Sequence, residues 1–151
     1  MNARVPLAAS GSTSDGLLME APIRWTASAD AMTRQPTPSI TRADVERIVR
    51  RDFPADRSAE VLALLDDYGT EAWQRAPDRV RLAALKLAAG SFERLRSQIE
   101  QAKCDYRDVL GAAEYPGYMK LLFRIQDLPP DERQRVIDAD WSQYQDWLTR
   151  R

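Results

Sequence analysis

The stretch RVRLAALKLAAG, residues 79–90, predicts the centre of the fold. On a helical wheel its apolar side chains leave only a narrow polar strip. A helix that is apolar nearly all round is typical of the middle of a helical bundle. Pro77 precedes the stretch as a helix-starting residue, and Gly90 ends it as a stop signal. We therefore expect residues 79–89 to form a central helix that is surrounded by others.

Two helices are predicted before this central one. Thr41 followed by Asp44 resembles a capping box, in which each side chain bonds to the other residue's backbone. An apolar stripe follows, and Pro54 ends that first helix because proline cannot continue it. The second helix is expected from about residue 56 to residue 68, with Gly69 as its stop in a left-handed conformation.

The segments after the central helix also carry helix-start signals. Ser91 is expected to cap the fourth helix, and Asp105 is expected to cap the next one. A short helix over residues 118–124 would offer Met119, Leu122 and Phe123 for burial. The final helix is predicted to begin at Pro130 and to end near residue 150.

No alternating, β-branched run competes with these helical patterns. The sequence therefore predicts an all-α fold, a single compact bundle of about five to seven helices over residues 39–151. Residues 1–38 are rich in Ala, Ser, Thr and Pro and are predicted to be a flexible, disordered arm. The arm contains one apolar cluster that could dock onto the helical domain or onto a partner, comprising Leu17, Leu18, Met19, Ile23 and Trp25.

Composition restricts the chemistry that the chain could perform. There is no histidine, and Cys104 is the single cysteine, so the usual base for a nucleophile and the usual zinc ligands are missing. No glycine-rich phosphate loop occurs either. We therefore expect no cofactor, no metal and no catalytic residue. The lone cysteine indicates a reducing, cytoplasmic setting, while non-classical export of the arm-bearing chain stays open as an alternative.

The charge pattern bears on possible partners. The formal net charge is −1 and arginines alternate with acids, so no field attracts nucleic acid or an anionic membrane. No run approaches the ~18 apolar residues of a membrane-spanning helix. The expected partner is another protein of unknown identity, and the oligomeric state is left open.

The final helix contains an acidic residue within its apolar face. Asp140 lies inside the arc that also carries Trp141, Tyr144 and Trp147. A buried carboxylate must be paired or hydrogen-bonded. Two interpretations follow: an ion pair with an arginine from another helix, or a partly covered face on which these four residues bind a partner. Tryptophan and tyrosine are enriched at interface hot spots, which gives the second interpretation a physical basis.

A second candidate surface lies on the helix that Asp105 would cap. Arg107, Asp108, Gly111 and Glu114 are predicted to share a side that faces away from the core. Glycine costs about 1 kcal/mol relative to alanine inside a helix, so Gly111 indicates a close approach by a neighbouring helix, a ligand or a partner.

Three functions are compatible with these patterns. The leading hypothesis is a non-enzymatic protein–protein interaction module of the adaptor, immunity or effector type, using the two surfaces described above. The alternative is a carboxylate- or cation-dependent enzyme, which requires two or more acids, with Asp105, Asp108, Glu114 and Asp140 as the candidates, to converge in a cleft between helices. The third is arginine-mediated nucleic-acid binding, which the balanced charge disfavours.

The run over residues 79–90 and the segments over residues 95–116 resemble a group of small uncharacterised bacterial proteins that are all-helical. The resemblance covers about residues 40–150 and leaves out the arm. It implies a compact helical unit, and it carries no activity, cofactor or site residue.

Overall fold

The computed structural model describes residues 35–151, and over that range the predicted all-α bundle is confirmed. Six α-helices occur in these residues, and no strand does. They are α1 (Arg42–Asp52), α2 (Ser58–Asp66), α3 (Pro77–Ala88), α4 (Phe92–Glu114), α5 (Pro116–Leu121) and α6 (Pro130–Thr149), with 3-10 turns at Ala55–Arg57 and Leu122–Asp127. Most of the predicted arm, including its apolar cluster, lies outside the described residues.

Helix α3 lies at the centre of the core, as its sequence predicts. Six of its twelve residues are fully buried, from Val80 to Ala88. Its end is formed by Ala89 and Gly90, which both adopt positive φ angles, of 48° and 77°. A left-handed residue after the last helical turn lets the chain reverse direction, and Ser91 then caps α4 by accepting the backbone N–H of Arg94.

Two other predicted helix starts are also observed. Thr41 and Asp44 form the complete capping box at the start of α1. Asp105 has an extended backbone inside α4, and its carboxylate accepts the backbone N–H of Arg107 at 3.0 Å. This cap divides α4 into two helical halves at a kink, which is the helix boundary expected there.

The region between α5 and α6 differs from its prediction. The expected helix over residues 118–124 is replaced by α5 and a 3-10 turn, joined at Leu122, whose φ is +42°. The prediction that Leu122 and Phe123 are available for burial is wrong, since they are 56% and 90% exposed. A left-handed residue at this point turns both side chains out of the bundle.

The extended segment before α1 runs along the bundle surface. Pro38 is buried, and the carbonyl of Pro36 accepts a hydrogen bond from the Tyr115 hydroxyl at 2.5 Å. The chain therefore enters the described structure beside the C-terminal end of α4. No described helix is both long and apolar enough to cross a lipid bilayer.

Candidate interaction surface

Asp140 is buried, and its hydrogen-bond partners are not the arginine that the sequence led us to expect. It is 6% exposed, but no arginine of residues 35–151 pairs with it. Instead its two carboxylate oxygens accept the backbone N–H groups of Gly117 and Tyr118, at 2.9 and 2.8 Å. These N–H groups lie in the first turn of α5, where a helix has no internal acceptors for them. Asp140 therefore joins α6 to the start of α5.

Glu114 is buried as well, so the prediction that it faces away from the core is wrong. It is 1% exposed and forms a two-pronged ion pair with Arg79, with N–O distances of 2.7 and 2.5 Å. The hydrogen bonds that Arg79 donates to the Glu114 carboxylate raise the pKa of the Arg79 guanidinium above its usual value. This pair joins the first turn of α3 to the last turn of α4, and it leaves Glu114 no exposed surface for a partner.

The remaining members of that predicted surface have separate environments. Arg107 and Asp108 are exposed, and Arg107 pairs with Asp105 at 2.7 Å. The close approach indicated by Gly111 is made by a neighbouring helix, because a Cβ on that glycine would lie 2.9 Å from the Met119 sulfur in α5. Of the three sources considered for the close approach, the neighbouring helix is therefore the one observed.

The aromatic residues of α6 mostly belong to the core. Tyr144 is fully buried, and burial raises the pKa of its hydroxyl, which has no hydrogen-bond partner among the described residues. Trp147 packs against the core, with the Arg51 guanidinium 5.0 Å from its ring centre. Trp141 is half-buried. This face offers a partner much less apolar surface than its sequence indicates.

The exposed apolar surface lies instead at the junction after α5. Phe123 at 90% exposure and Leu122 at 56% are, with Trp73 at 50%, the large hydrophobic side chains that the described residues leave exposed. Lys120 and Arg124 flank them and are exposed too. We call Lys120, Leu122, Phe123 and Arg124 the Phe123 patch.

The backbone on both sides of the Phe123 patch is fixed to α6. Before the patch, the start of α5 is bound to Asp140 as described above. After it, the Arg133 guanidinium donates hydrogen bonds to the carbonyls of Ile125 and Leu128, at 3.1 and 3.2 Å. Because both flanks are held, the patch is presented in a defined position on the bundle surface.

The conformation of Leu122 is unfavourable in isolation. Its φ of +42° and ψ of −117° lie outside the regions that residues with a side chain normally adopt, which costs about 1–3 kcal/mol. Strain of this kind persists only where surrounding contacts over-determine it, and it is concentrated at functional sites. At Leu122 the strain accompanies the exposure of two large apolar side chains, which has no stabilising effect within the described structure.

The acids named in the carboxylate-enzyme hypothesis have separate partners in the described structure. Asp105 binds Arg107, Glu114 binds Arg79, and Asp140 binds the start of α5. Asp108 is exposed. Among residues 35–151 no group of three or more Asp, Glu or Cys side chains is placed to hold a metal ion.

A shallow cleft of about 580 Å³ lies where the C-terminal ends of α1, α3 and α6 meet. Lys86 is half-buried in its wall, and burial lowers the pKa of its ammonium group, an effect that the charge of Asp140 partly offsets. The opposite wall is already engaged, since Arg51 binds Asp52 and the carbonyls of Trp147 and Arg150. The cleft therefore places Lys86 in the same lining as an arginine whose guanidinium is already hydrogen-bonded.

No protein-family model, no curated protein and no solved structure matches this chain. The resemblance to small bacterial helical proteins consequently stays a prediction. The function of the Phe123 patch is therefore inferred from the chemistry of its own residues.

Proposed function

We propose that this protein is a non-enzymatic protein–protein interaction module whose contact surface is centred on the Phe123 patch. The observation that supports it best is the 90% exposure of Phe123 beside Leu122, in a backbone that is strained rather than relaxed. A single exposed apolar side chain is ordinary, whereas contiguous exposed apolar surface is typical of interaction sites.

The chemistry of the patch suits a protein partner. Burying a phenylalanine or leucine side chain contributes about 1.5–3 kcal/mol, and aromatic residues are enriched at interface centres. Lys120 and Arg124 would lie at the rim, where charges govern orientation and association rate more than affinity. We expect the partner to offer an apolar pocket with acidic residues around it.

The surfaces expected from the sequence take a smaller part in this proposal. Trp141, Arg107 and Asp108 retain exposed atoms and stay candidates for the periphery of a contact. Adaptor, immunity and effector roles all remain within the proposal, because each requires only a specific protein contact. A reducing, bacterial cytoplasmic setting is part of the same proposal, and it accords with the exposed, unpaired thiol of Cys104.

Affinity capture with matched variants tests the proposal. The full chain, its Phe123→Ser variant and a Trp73→Ser control are immobilised and exposed to native lysate of the source cells. Trp73 is the matched control because it is an exposed aromatic residue in the segment before α3, away from the patch. We expect at least one protein that the wild-type chain and Trp73→Ser retain and Phe123→Ser loses. If every captured protein is retained equally by all three chains, the proposal is wrong.

A further inference from the structure

The cations of the Phe123 patch form no ion pair with the acids that the structure describes. Lys120 and Arg124 are exposed, and neither forms an ion pair with an acid of residues 35–151. Other basic residues of the same range are paired, for example Arg42 with Asp66 and Lys103 with Glu100. The patch thus presents an apolar centre between two unpaired positive charges.

The arm contains the complementary arrangement. Residues 15–20 read DGLLME, which places three large apolar side chains between Asp15 and Glu20. Residues 120–124 read KLLFR, with apolar side chains between Lys120 and Arg124. The two segments therefore match in apolar content and oppose each other in charge at both ends.

The arm also joins the bundle close to the patch. Pro36 is held by Tyr115, and both line a surface depression together with Gly111. Met119 lies against Gly111, and Phe123 follows Met119 by four residues, which is at most about 14 Å of chain. The fifteen residues from position 20 to position 35 can extend to roughly 50 Å, so DGLLME can reach the patch without strain.

We infer that residues 15–20 of the same chain dock onto the Phe123 patch and cover it until a partner displaces them. This inference rests on the proposed function, because it adds a regulation to the same surface. A tethered segment is present at a high effective concentration, so even a weak contact of this size is populated. A partner then has to compete with the arm, and its apparent affinity falls by the fraction of molecules in which the patch is free.

Paramagnetic relaxation in the full chain measures this docking directly. A nitroxide is attached through Gln126→Cys in a Cys104→Ser background, so that the label stands beside the patch and the exposed native thiol is removed. We expect the amide signals of residues 15–20 to lose most of their intensity, and those of residues 1–10 to lose less. Adding Leu18→Asp should restore the signals, and Phe123→Ser should restore them as well.

A mixed sample distinguishes docking within one chain from docking between two. Isotope-labelled chains without the nitroxide are combined with nitroxide-bearing chains that carry no isotope. Signal loss that occurs when isotope and nitroxide are on the same chain, and does not occur in the mixed sample, supports the inference. Equal loss in the mixed sample assigns the contact to a second copy, and no loss beyond that of Phe123→Ser means that the arm does not dock. Either of these outcomes overturns the inference.

The partner identified by affinity capture separates this inference from the proposed function. Leu18→Asp should raise the partner's affinity, about tenfold if the covered state holds about 90% of the molecules. If the partner depends on Phe123 but binds Leu18→Asp and the wild-type chain equally, the arm inference fails and the proposed function stands. If residues 15–20 dock but no partner depends on Phe123, the arm is a structural cover and the proposed function fails.

Discussion

The carboxylate of Asp140 accepts the backbone N–H of Gly117 at 2.9 Å, which fixes the start of α5 to the middle of α6. The fit is close, since a Cβ on Gly117 would lie 2.8 Å from the same oxygen. Together with the bonds of Arg133 on the other side, this contact determines where the Phe123 patch lies. Asp140, the acid that is unusual within its apolar helix face, therefore determines where the candidate surface lies without being part of it.

Removing the Asp140 carboxylate should destabilise the protein. Asp140→Ala leaves two part-buried backbone N–H groups without an acceptor, which should lower the free energy of unfolding by about 2 kcal/mol. Asp138→Ala is the matched control on the same helix, since Asp138 is exposed and bonded only to the Gln134 side chain. Urea denaturation should place the control within about 0.5 kcal/mol of the wild-type chain. Equal effects of the two variants would contradict the assigned role.

The ion pair between Arg79 and Glu114 should behave as a buried one. Arg79→Ala leaves a carboxylate that is 1% exposed without its partner, which should cost about 3 kcal/mol of unfolding free energy. Arg135→Ala removes an exposed pair with Asp131 and should cost less than about 0.5 kcal/mol. Thermal or urea denaturation of both variants checks this contrast, and a small effect at Arg79 would mean that Glu114 is solvated or protonated without it.

Removing the hydroxyl from two buried tyrosines should change the unfolding free energy in opposite directions. The Tyr144 hydroxyl is buried without a partner, so Tyr144→Phe should raise the unfolding free energy by about 1 kcal/mol. The Tyr68 hydroxyl donates to the carbonyl of Arg75 at 3.1 Å, so Tyr68→Phe should lower it by about 1 kcal/mol. Urea titrations of both variants test the pair, and a destabilising Tyr144→Phe would reveal an unrecognised partner for its hydroxyl.

Tyr115 should contribute to the loss of stability at alkaline pH. Burial raises the pKa of its hydroxyl to about 12, whereas an unfolded tyrosine ionises near about 10. Between these values the unfolded chain has released the proton and the folded chain has not, so this contribution is complete below pH ~10 and declines as the pH rises towards ~12. Tyr115→Phe should therefore make the decline in unfolding free energy over that range less steep.

The same variant tests the attachment of the segment before α1. Tyr115→Phe removes the hydrogen bond to Pro36 and should cost about 1 kcal/mol at neutral pH. Faster amide hydrogen exchange around residues 36–40 should accompany it. Unchanged exchange there, or an unchanged alkaline decline, would show that the hydroxyl is solvated.

Helix starts and stops could be predicted because their signals are local. The capping box of Thr41 and Asp44, the cap at Asp105 and the stop at Gly90 each depend on residues within a few positions along the chain. A side chain that satisfies a neighbouring backbone group does so in almost any tertiary setting. These elements therefore occur where the sequence places them.

The candidate surface could not be predicted, because its contacts are non-local. Glu114 is buried by an arginine 35 positions away, and Asp140 binds amides 22 and 23 positions away. The exposure of Phe123 depends on one left-handed residue, Leu122, where the residue type favours a continued helix. The sequence signal that could have been used is the run KLLFR itself, whose two cations leave little room for burial between them.

The most direct test of the central claim is the dissociation constant of the captured partner for three purified chains: wild type, Phe123→Ser and Trp73→Ser. An aromatic anchor at the centre of a contact contributes about 2 kcal/mol or more, so Phe123→Ser should weaken binding about 30-fold or more. Trp73→Ser should bind as the wild-type chain does, and both variants should retain the helical circular dichroism of the fold. Undiminished affinity of a folded Phe123→Ser chain would contradict the assignment of this patch as the interaction surface.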